Sequence, residues 1–182
     1  MGILDFFRSM FGKTRTEAEA PVEPSLPLPP VERRTRRRLN ARPGTRVLII
    51  DDSRTIVAAL RKILHSAGFK TLEALDAETG IELLKTRPVE IIFLDIVLPG
   101  MNGFSALRAL RKDPATRDIP VIMMSGNEQA TEQFFGSRIG ADDFMKKPFS
   151  RLEVFSRIER LLDGNLVPRR QLMGRPMMPA RG

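Results

Sequence analysis

The sequence predicts an α/β fold: a doubly wound, five-stranded parallel sheet with flanking helices and disordered tails. Two observations carry this prediction, namely short continuous apolar runs and the helical stripes that alternate with them along the chain. The runs at 47–50, 91–94 and 121–124 are typical of strands buried on both faces of a parallel sheet. Weaker runs at 71–75 and 143–145 are candidates for an edge strand and for the last strand.

Amphipathic helices are predicted between the runs. The first apolar stripe starts at Ile56, ends at Leu64 and is followed by Gly68, a residue suited to closing a helix. Four more helices are expected over 82–85, 105–110, 129–138 and 152–162. Alternating strands and helices indicate a parallel sheet, and right-handed crossovers place helices on both of its faces.

The chain divides into four segments by composition. Residues 1–13 form a predicted amphipathic leader helix, because Ile3, Phe6, Phe7, Met10 and Phe11 share one helical face. Residues 14–44 form a Pro/Arg-rich linker that is expected to be extended. Residues 45–163 form the folded domain. Residues 164–182 are predicted to be a disordered basic tail.

Charge and cysteine content exclude several classes of protein. The net charge of +8 belongs to the two tails, since residues 45–163 hold 17 basic and 17 acidic residues. Bulk attraction of the folded part for nucleic acid is therefore not expected. There is no cysteine, which excludes disulfides, thiolate metal sites and cysteine nucleophiles. No apolar run approaches the roughly 18 residues of a membrane-spanning helix, so a cytoplasmic location is expected.

Five chemically active side chains follow the predicted strands. Asp51 and Asp52 follow the first strand, Asp95 the third, Ser125 the fourth and Lys147 the fifth. In a doubly wound sheet these ends meet at the edge where ligands bind. Clustered carboxylates repel one another, at roughly 4 kcal/mol per pair for a separation of about 4 Å and an effective dielectric near 20. Such a cluster requires a compensating cation.

Oxygen ligands without histidine or cysteine favour a hard cation, and Mg²⁺ commonly binds one or two carboxylates together with a phosphate oxygen. Lys147 adds a fixed positive charge to the same edge. A carboxylate between these two cations is suited to attack phosphorus and form an acyl phosphate. The Ser125 hydroxyl is then available to hydrogen-bond the bound phosphoryl group.

Four blocks of sequence resemble the receiver domain of two-component response regulators. They are IDDS at 50–53, FLDIVLPGMNG at 93–103, MMSG at 123–126 and KPF at 147–149. The resemblance covers residues 45–163 and implies a flavodoxin-like sheet of strand order 2-1-3-4-5. Two longer stretches resemble, more narrowly, the stand-alone chemotaxis-like regulators of type IV pilus (twitching-motility) systems. These stretches are IDDSRTI at 50–56 and GSRIGADDFMKKPFS at 136–150.

The resemblance implies a role for each acidic residue. Asp95 would be the phosphoacceptor and also a metal ligand. Asp52 would be the main ligand of Mg²⁺, Asp51 would hold the metal through water, and the carbonyl of Val97 would complete the metal shell.

The resemblance also implies the phosphoryl contacts and the switch. Lys147 and Ser125 would bind the phosphoryl group, and the peptide bond before Pro148 would be cis. Ser125 and Phe144 would form the switch pair, in which the hydroxyl moves toward the phosphoryl group and the ring rotates into the vacated space. Lys146 should point elsewhere.

Two residues depart from the common pattern of the family. Val97 is apolar where many fast-cycling relatives are polar, which predicts slower attack by water and a longer-lived phosphorylated form. Phe144 replaces the more common tyrosine, which removes a hydroxyl that some partners read.

The expected function is that of a single-domain response regulator and not of an enzyme. It would receive a phosphoryl group from a sensor histidine kinase or a phosphotransfer protein and change its affinity for a downstream protein. A phosphorylation-independent adaptor (a pseudo-receiver) and a regulator that binds nucleic acid or membrane through its basic tails are the alternatives. The leader helix is compatible with binding a partner, a cell pole, the inner-membrane surface or the domain itself.

Overall fold

A computed structural model describes residues 40–136 and 140–170 of the chain. Within them, five parallel strands form one sheet of order β2-β1-β3-β4-β5. The predicted fold class and strand order are therefore confirmed. The strands are β1 (Arg46–Ile50), β2 (Lys70–Ala74), β3 (Ile91–Asp95), β4 (Val121–Ser125) and β5 (Asp143–Lys146).

Helices connect the strands, and polar side chains cap their first turns. Ser53 accepts a hydrogen bond from the backbone N–H of Ile56, and Ser150 accepts one from that of Glu153. Gly68, which was predicted to close the first helix, has φ of +82°. The helices are α1 (Arg54–His65), α2 (Ala77–Thr86), α3 (Gly103–Lys112), α4 (Glu128–Gly136) and α5 (Arg151–Arg160).

The sheet separates two apolar layers, because successive strand residues point to opposite faces. Leu48 and Ile50 of β1 join the layer under α2, α3 and α4, whereas Val47 and Ile49 join the layer under α1 and α5. β1, apart from Arg46, and the whole of β3 and β4 are buried, as their continuous apolar runs predict. β2 and β5 are the two edges, which matches their weaker signals.

The folded region is longer than the predicted boundaries of 45 and 163. Ala41 is buried against α1 and α5, and the Gly44 N–H donates to the carbonyl of Gly68. After α5 the chain turns back, so that Pro168 is paired with Leu162 and buried. The first seven residues of the predicted tail, 164–170, are thus part of the folded region. Composition predicted a tail here because Pro168, Arg169 and Arg170 are residue types that are common in disordered segments.

Arginine side chains fasten this C-terminal return. Arg170 donates to the carbonyl of Gly140 at 3.2 Å and lies 3.5 Å from a carboxylate oxygen of Asp142. Arg111 of α3 pairs with the other oxygen of Asp142 at 2.7 Å. Arg42 donates to the carbonyl of Asn165 at 3.1 Å, which joins the two ends of the described chain.

Some predictions concern residues outside the described ranges. These are the leader helix at 1–13, the linker up to residue 39, the end of the helix predicted to reach 138, and the tail from 171 to 182. Among the residues that are described, no helix has the length and apolar character needed to cross a bilayer.

We predict that Gly103→Ala destabilises the protein. A methyl group at Gly103 would lie 2.1 Å from the Asp95 carbonyl oxygen and 2.8 Å from Ile96 Cα, so the loop behind the acidic edge would have to shift. Overpacking of this kind costs about 1–3 kcal/mol of unfolding free energy. Helix propensity alone would predict that the substitution stabilises the protein, since alanine is a better helix former than glycine.

Chemical denaturation of Gly103→Ala beside Gly164→Ala checks this prediction. An added methyl at Gly164 meets no described atom within 4 Å. An unchanged or raised stability of the Gly103 variant would contradict the close approach.

Candidate functional site

The carboxyl ends of the strands bring together the predicted site residues. Asp51 follows β1, Asp95 is the last residue of β3, Ser125 is the last of β4, and Lys147 follows β5. Because all five strands are parallel, these residues share one edge of the sheet. Asp52 lies beside Asp51 and is exposed to solvent.

A lysine bridges the two buried carboxylates. Lys147 Nζ lies 2.6 Å from Asp51 Oδ2 and 3.0 Å from Asp95 Oδ2. The Lys147 side chain is 14% exposed, that of Asp95 5% and that of Asp51 0%, so solvent screens these pairs weakly. The other oxygen of Asp51 accepts the Ser53 N–H at 3.0 Å. Both aspartates are thereby held at fixed positions.

The Asp95 carboxyl is only partly compensated for its burial. Burial raises its pKa above the ordinary value, and the charge and hydrogen bond of Lys147 lower it by a smaller amount. The charge of Asp51 raises the pKa further, whereas the Val97 N–H, which donates to the carboxylate, lowers it. Positive charge is therefore still in deficit at this edge.

The donor set fits a hard divalent cation. Asp51, Asp52 and Asp95 each offer an oxygen, and these three oxygens lie within 4.8 Å of one another. Asp51 Oδ2 is buried and has no aligned hydrogen bond among the described residues, although the Lys147 ammonium is close. This oxygen can therefore coordinate a cation or accept a hydrogen bond from a water molecule bound to one. All-oxygen donors of this kind suit Mg²⁺.

The Ser125 hydroxyl is buried and bonded to the loop that follows β4. Its Oγ accepts the Asn127 N–H at 3.0 Å and donates to the Asn127 carbonyl at 3.3 Å. Asn127 in turn caps α4, since its Oδ1 accepts the Ala130 N–H at 3.0 Å. The predicted phosphoryl ligand is therefore also hydrogen-bonded to the residue that caps α4.

Phe144, the predicted switch partner of Ser125, is 6% exposed and lies in an aromatic cluster. It stacks on Phe134 with 4.7 Å between ring centroids and meets Phe135 edge-on at 5.3 Å. This cluster was not predicted from the sequence. The adjacent pair of phenylalanines in the predicted helix over 129–138 was the available signal.

The remaining predicted residues occupy distinct positions around the edge. The Lys147–Pro148 peptide bond is cis, as the resemblance implies. Lys146 is 58% exposed, and its Nζ lies 3.9 Å from Glu128 Oε1 on α4 rather than at the aspartates of the site. Val97 lies two residues after the end of β3, is 53% exposed, and donates its N–H to the Asp95 carboxylate.

Two supporting residues were not found from the sequence. Glu78 of α2 accepts the Met101 N–H at 3.0 Å and so fastens the loop that follows Asp95. Gly103 donates its N–H to the Ile96 carbonyl and packs against the backbone of Asp95.

Comparison with known proteins agrees with this geometry. Residues 47–159 match the family described as response regulator receiver domain. The chain belongs to the response-regulator receiver family. Protein PilH of Pseudomonas aeruginosa is 37% identical over 119 residues, which are 65% of this chain and 98% of PilH. The regulatory protein PhoB of the same organism is 34% identical, and the matched region spans 65% of this chain and 52% of PhoB.

Solved receiver structures share the fold. The chemotaxis protein CheY4 of Vibrio cholerae superposes with a TM-score of 0.60 at 24% identity, covering 65% of this chain and 99% of CheY4. The receiver domain of the sensor histidine kinase PA1611 of Pseudomonas aeruginosa gives 0.58 at 25% identity, covering 64% and 95%. That structure carries a magnesium ion in its active-site cleft. As a receiver, the protein is a signalling switch rather than a classical enzyme.

We predict opposite stability changes for two substitutions in this receiver. Asp95 has a raised pKa, so its ionisation opposes folding above that pKa, and this penalty is lost as the pH falls from the raised pKa to the ordinary value. Asp95→Asn removes this penalty, and Lys147 remains paired with Asp51. The substitution is expected to raise the free energy of unfolding by about 1–2 kcal/mol near neutral pH without divalent cations. Lys147→Met leaves buried carboxylates without their counter-ion and is expected to cost about 3–5 kcal/mol.

Urea unfolding of wild type and both variants, with a chelator to remove divalent cations, measures whether Asp95→Asn gains stability and Lys147→Met loses it. Wild type should gain stability with millimolar Mg²⁺ by ligand linkage, and Asp95→Asn should gain less. Shifts of the same sign for the two variants would contradict the charge balance described here.

Proposed function

We propose that the protein is a magnesium-dependent phospho-switch in which Asp95 accepts a phosphoryl group from a histidine kinase or a phosphotransfer protein. The observation that carries this proposal is the Lys147 bridge to Asp51 and Asp95, next to the exposed carboxylate of Asp52. A lysine and three acids at the carboxyl edge of a parallel sheet provide the charges that phosphoryl transfer requires.

Each side chain then has one task. A carboxylate oxygen of Asp95 attacks phosphorus as the bond from phosphorus to the donor's histidine nitrogen breaks, and the product is an aspartyl phosphate. Lys147 neutralises charge on the transferred group from a position fixed by Asp51. Asp52 and Asp95 would hold Mg²⁺ directly, Asp51 would do so through water, and the Val97 carbonyl would complete the shell. When bound, Mg²⁺ offsets the negative charge on the phosphoryl oxygens.

The pathway we propose is chemotaxis-like signalling of the type IV pilus kind. The match covers 98% of PilH but only 52% of the transcriptional regulator PhoB. This difference in coverage supports a PilH-like role over a transcriptional one. The downstream target would be a protein whose affinity depends on the phosphorylation of Asp95. A coupling of about 1–3 kcal/mol would change that affinity 5- to 150-fold.

The terminal segments suggest where the switch works. The leader combines three phenylalanines with one-sided helical spacing, which suits a partner protein or the inner-membrane surface more than nucleic acid. We propose a cytoplasmic protein held at the membrane or a cell pole through residues 1–13. Deletion of these residues should delocalise a fluorescent fusion without altering phosphorylation of Asp95.

Incubation with radiolabelled acetyl phosphate tests the phosphoacceptor. Wild type is expected to become labelled only with Mg²⁺, and Asp95→Asn is expected to remain unlabelled because the attacking oxygen is gone. Asp118→Asn, at an exposed acid that precedes β4 and so lies at the opposite end of this strand from the site, is the matched control and should label normally. Labelling of Asp95→Asn would place the acceptor elsewhere, and an unlabelled wild type would favour the phosphorylation-independent adaptor.

We predict that Val97→Asn shortens the lifetime of the phosphorylated protein. Val97 is exposed beside Asp95, where an apolar side chain gives no hydrogen bond to an attacking water. An amide there is expected to speed hydrolysis by about tenfold, within the range for positioning one group in a proton or water transfer. Loss of label after removal of acetyl phosphate measures the rate, and an unchanged half-life in Val97→Asn would contradict the role of Val97.

A further inference from the structure

Helix α4 is tied to the acidic edge at Asn127, the residue that precedes and caps it. Asn127 exchanges two backbone hydrogen bonds with the Ser125 hydroxyl, one as donor and one as acceptor. The side-chain oxygen of Asn127 accepts a hydrogen bond from the Ala130 N–H. The backbone carbonyl of Asn127 accepts from both the N–H and the hydroxyl of Thr131. One residue thus links the predicted phosphoryl ligand to the first turn of α4.

The last turn of α4 has a second, independent tie to the switch region. Phe134 stacks on Phe144 of β5, and Phe135 meets both rings edge-on, at 5.2 Å from Phe134 and 5.3 Å from Phe144. Phe134 is 3% exposed and Phe144 is 6% exposed. An enclosed ring of this size cannot change place alone, because protein interiors leave few voids. Movement of Phe144 therefore requires movement of α4.

Both ties act on the same face of the sheet. Phe144 and Met123 belong to the apolar layer that contains Phe134, and Ser125 lies two residues after Met123, so it points to the same side. The serine and the phenylalanine of the predicted switch pair consequently bracket α4, one at its cap and one at its C-terminal half.

We propose that Asn127 is the positioning residue that converts movement of the Ser125 hydroxyl into a change at α4, and that the Phe144–Phe134–Phe135 stack moves with the helix. This inference rests on the proposed phospho-switch and replaces the free ring rotation expected from the family resemblance. When Ser125 turns toward a phosphoryl group, Asn127 loses both bonds to its hydroxyl, and the cap it provides to α4 loosens.

Phe135 is the group through which this change reaches the surface. Its side chain is 65% exposed, although it contacts both buried rings of the stack. The exposed acids Glu128 and Glu132 lie on the same helix. Lys146 lies 3.9 Å from Glu128, so this surface carries charges of both signs around one exposed aromatic ring.

Amide hydrogen exchange on the full chain tests the cap, with beryllofluoride and Mg²⁺ as the phosphoryl mimic. In wild type, saturation with the mimic should speed exchange of the Ala130 and Thr131 amides about fivefold, the equilibrium equivalent of losing an N-cap. Asn127→Ala should exchange fast at these amides without the mimic and respond less than twofold to it. Asn127→Ser, which keeps a capping oxygen, should restore the wild-type response.

Two results separate this inference from the phospho-switch itself. If wild type binds the mimic, shown by slower exchange of the Val97 amide, but the amides of α4 do not respond, the coupling is wrong and the switch stands. If no amide near Asp95 responds, the phosphoacceptor assignment fails and the coupling fails with it. A response in Asn127→Ala equal to that of wild type also overturns the role of Asn127.

Aromatic NMR tests the stack. The ring signals of Phe135 and Phe144 should shift together when the mimic is added, and Phe134→Leu should abolish the shift of Phe135 while that of Phe144 persists. A shift of Phe144 alone in the wild-type protein would show that the ring moves freely and would overturn concerted movement.

Discussion

The compensation of buried negative charge is the constraint on which the rest of this structure depends. Asp51 and Asp95 are almost fully enclosed, and one ammonium group lies within 3.0 Å of both. One lysine cannot neutralise three neighbouring carboxylates, so the edge keeps an affinity for a further cation. A site that is incomplete without added charge is suited to respond to magnesium and to a phosphoryl group.

The fold supplies this constraint by topology. A parallel sheet gathers the carboxyl ends of its strands at one edge, and the order β2-β1-β3-β4-β5 places β1 and β3 side by side beneath the acids. The same order places β4 and β5 next to each other, so that Ser125 and Lys147 lie at the same edge of the sheet as the acids. The distances of 2.6 and 3.0 Å from Lys147 Nζ to the two buried aspartates are thus set by strands whose own stability comes from buried apolar layers on both faces of the sheet.

Most of the edge could be predicted from the sequence, because strand burial and strand-end chemistry are local signals. Asp51, Asp95, Ser125 and Lys147 were predicted at strand ends and are found there. Gly103 meets the backbone at Asp95 and Phe134 meets the ring of Phe144, each in a different element of the fold, and no local pattern reports which backbone or ring they meet. The ordered return to Arg170 was missed for the same reason, since Asp142 and Gly140 determine it from a distance.

The central claim is that Lys147 and a divalent cation together neutralise three acids so that Asp95 can carry a phosphoryl group. A crystal structure of the full chain with Mg²⁺ and beryllofluoride tests it most directly. The account predicts beryllium bonded to an Asp95 carboxylate oxygen, Lys147 Nζ within hydrogen-bond distance of a fluorine, and the metal on Asp52 and Asp95. A metal bound elsewhere, with the Lys147 side chain turned into solvent, would contradict it.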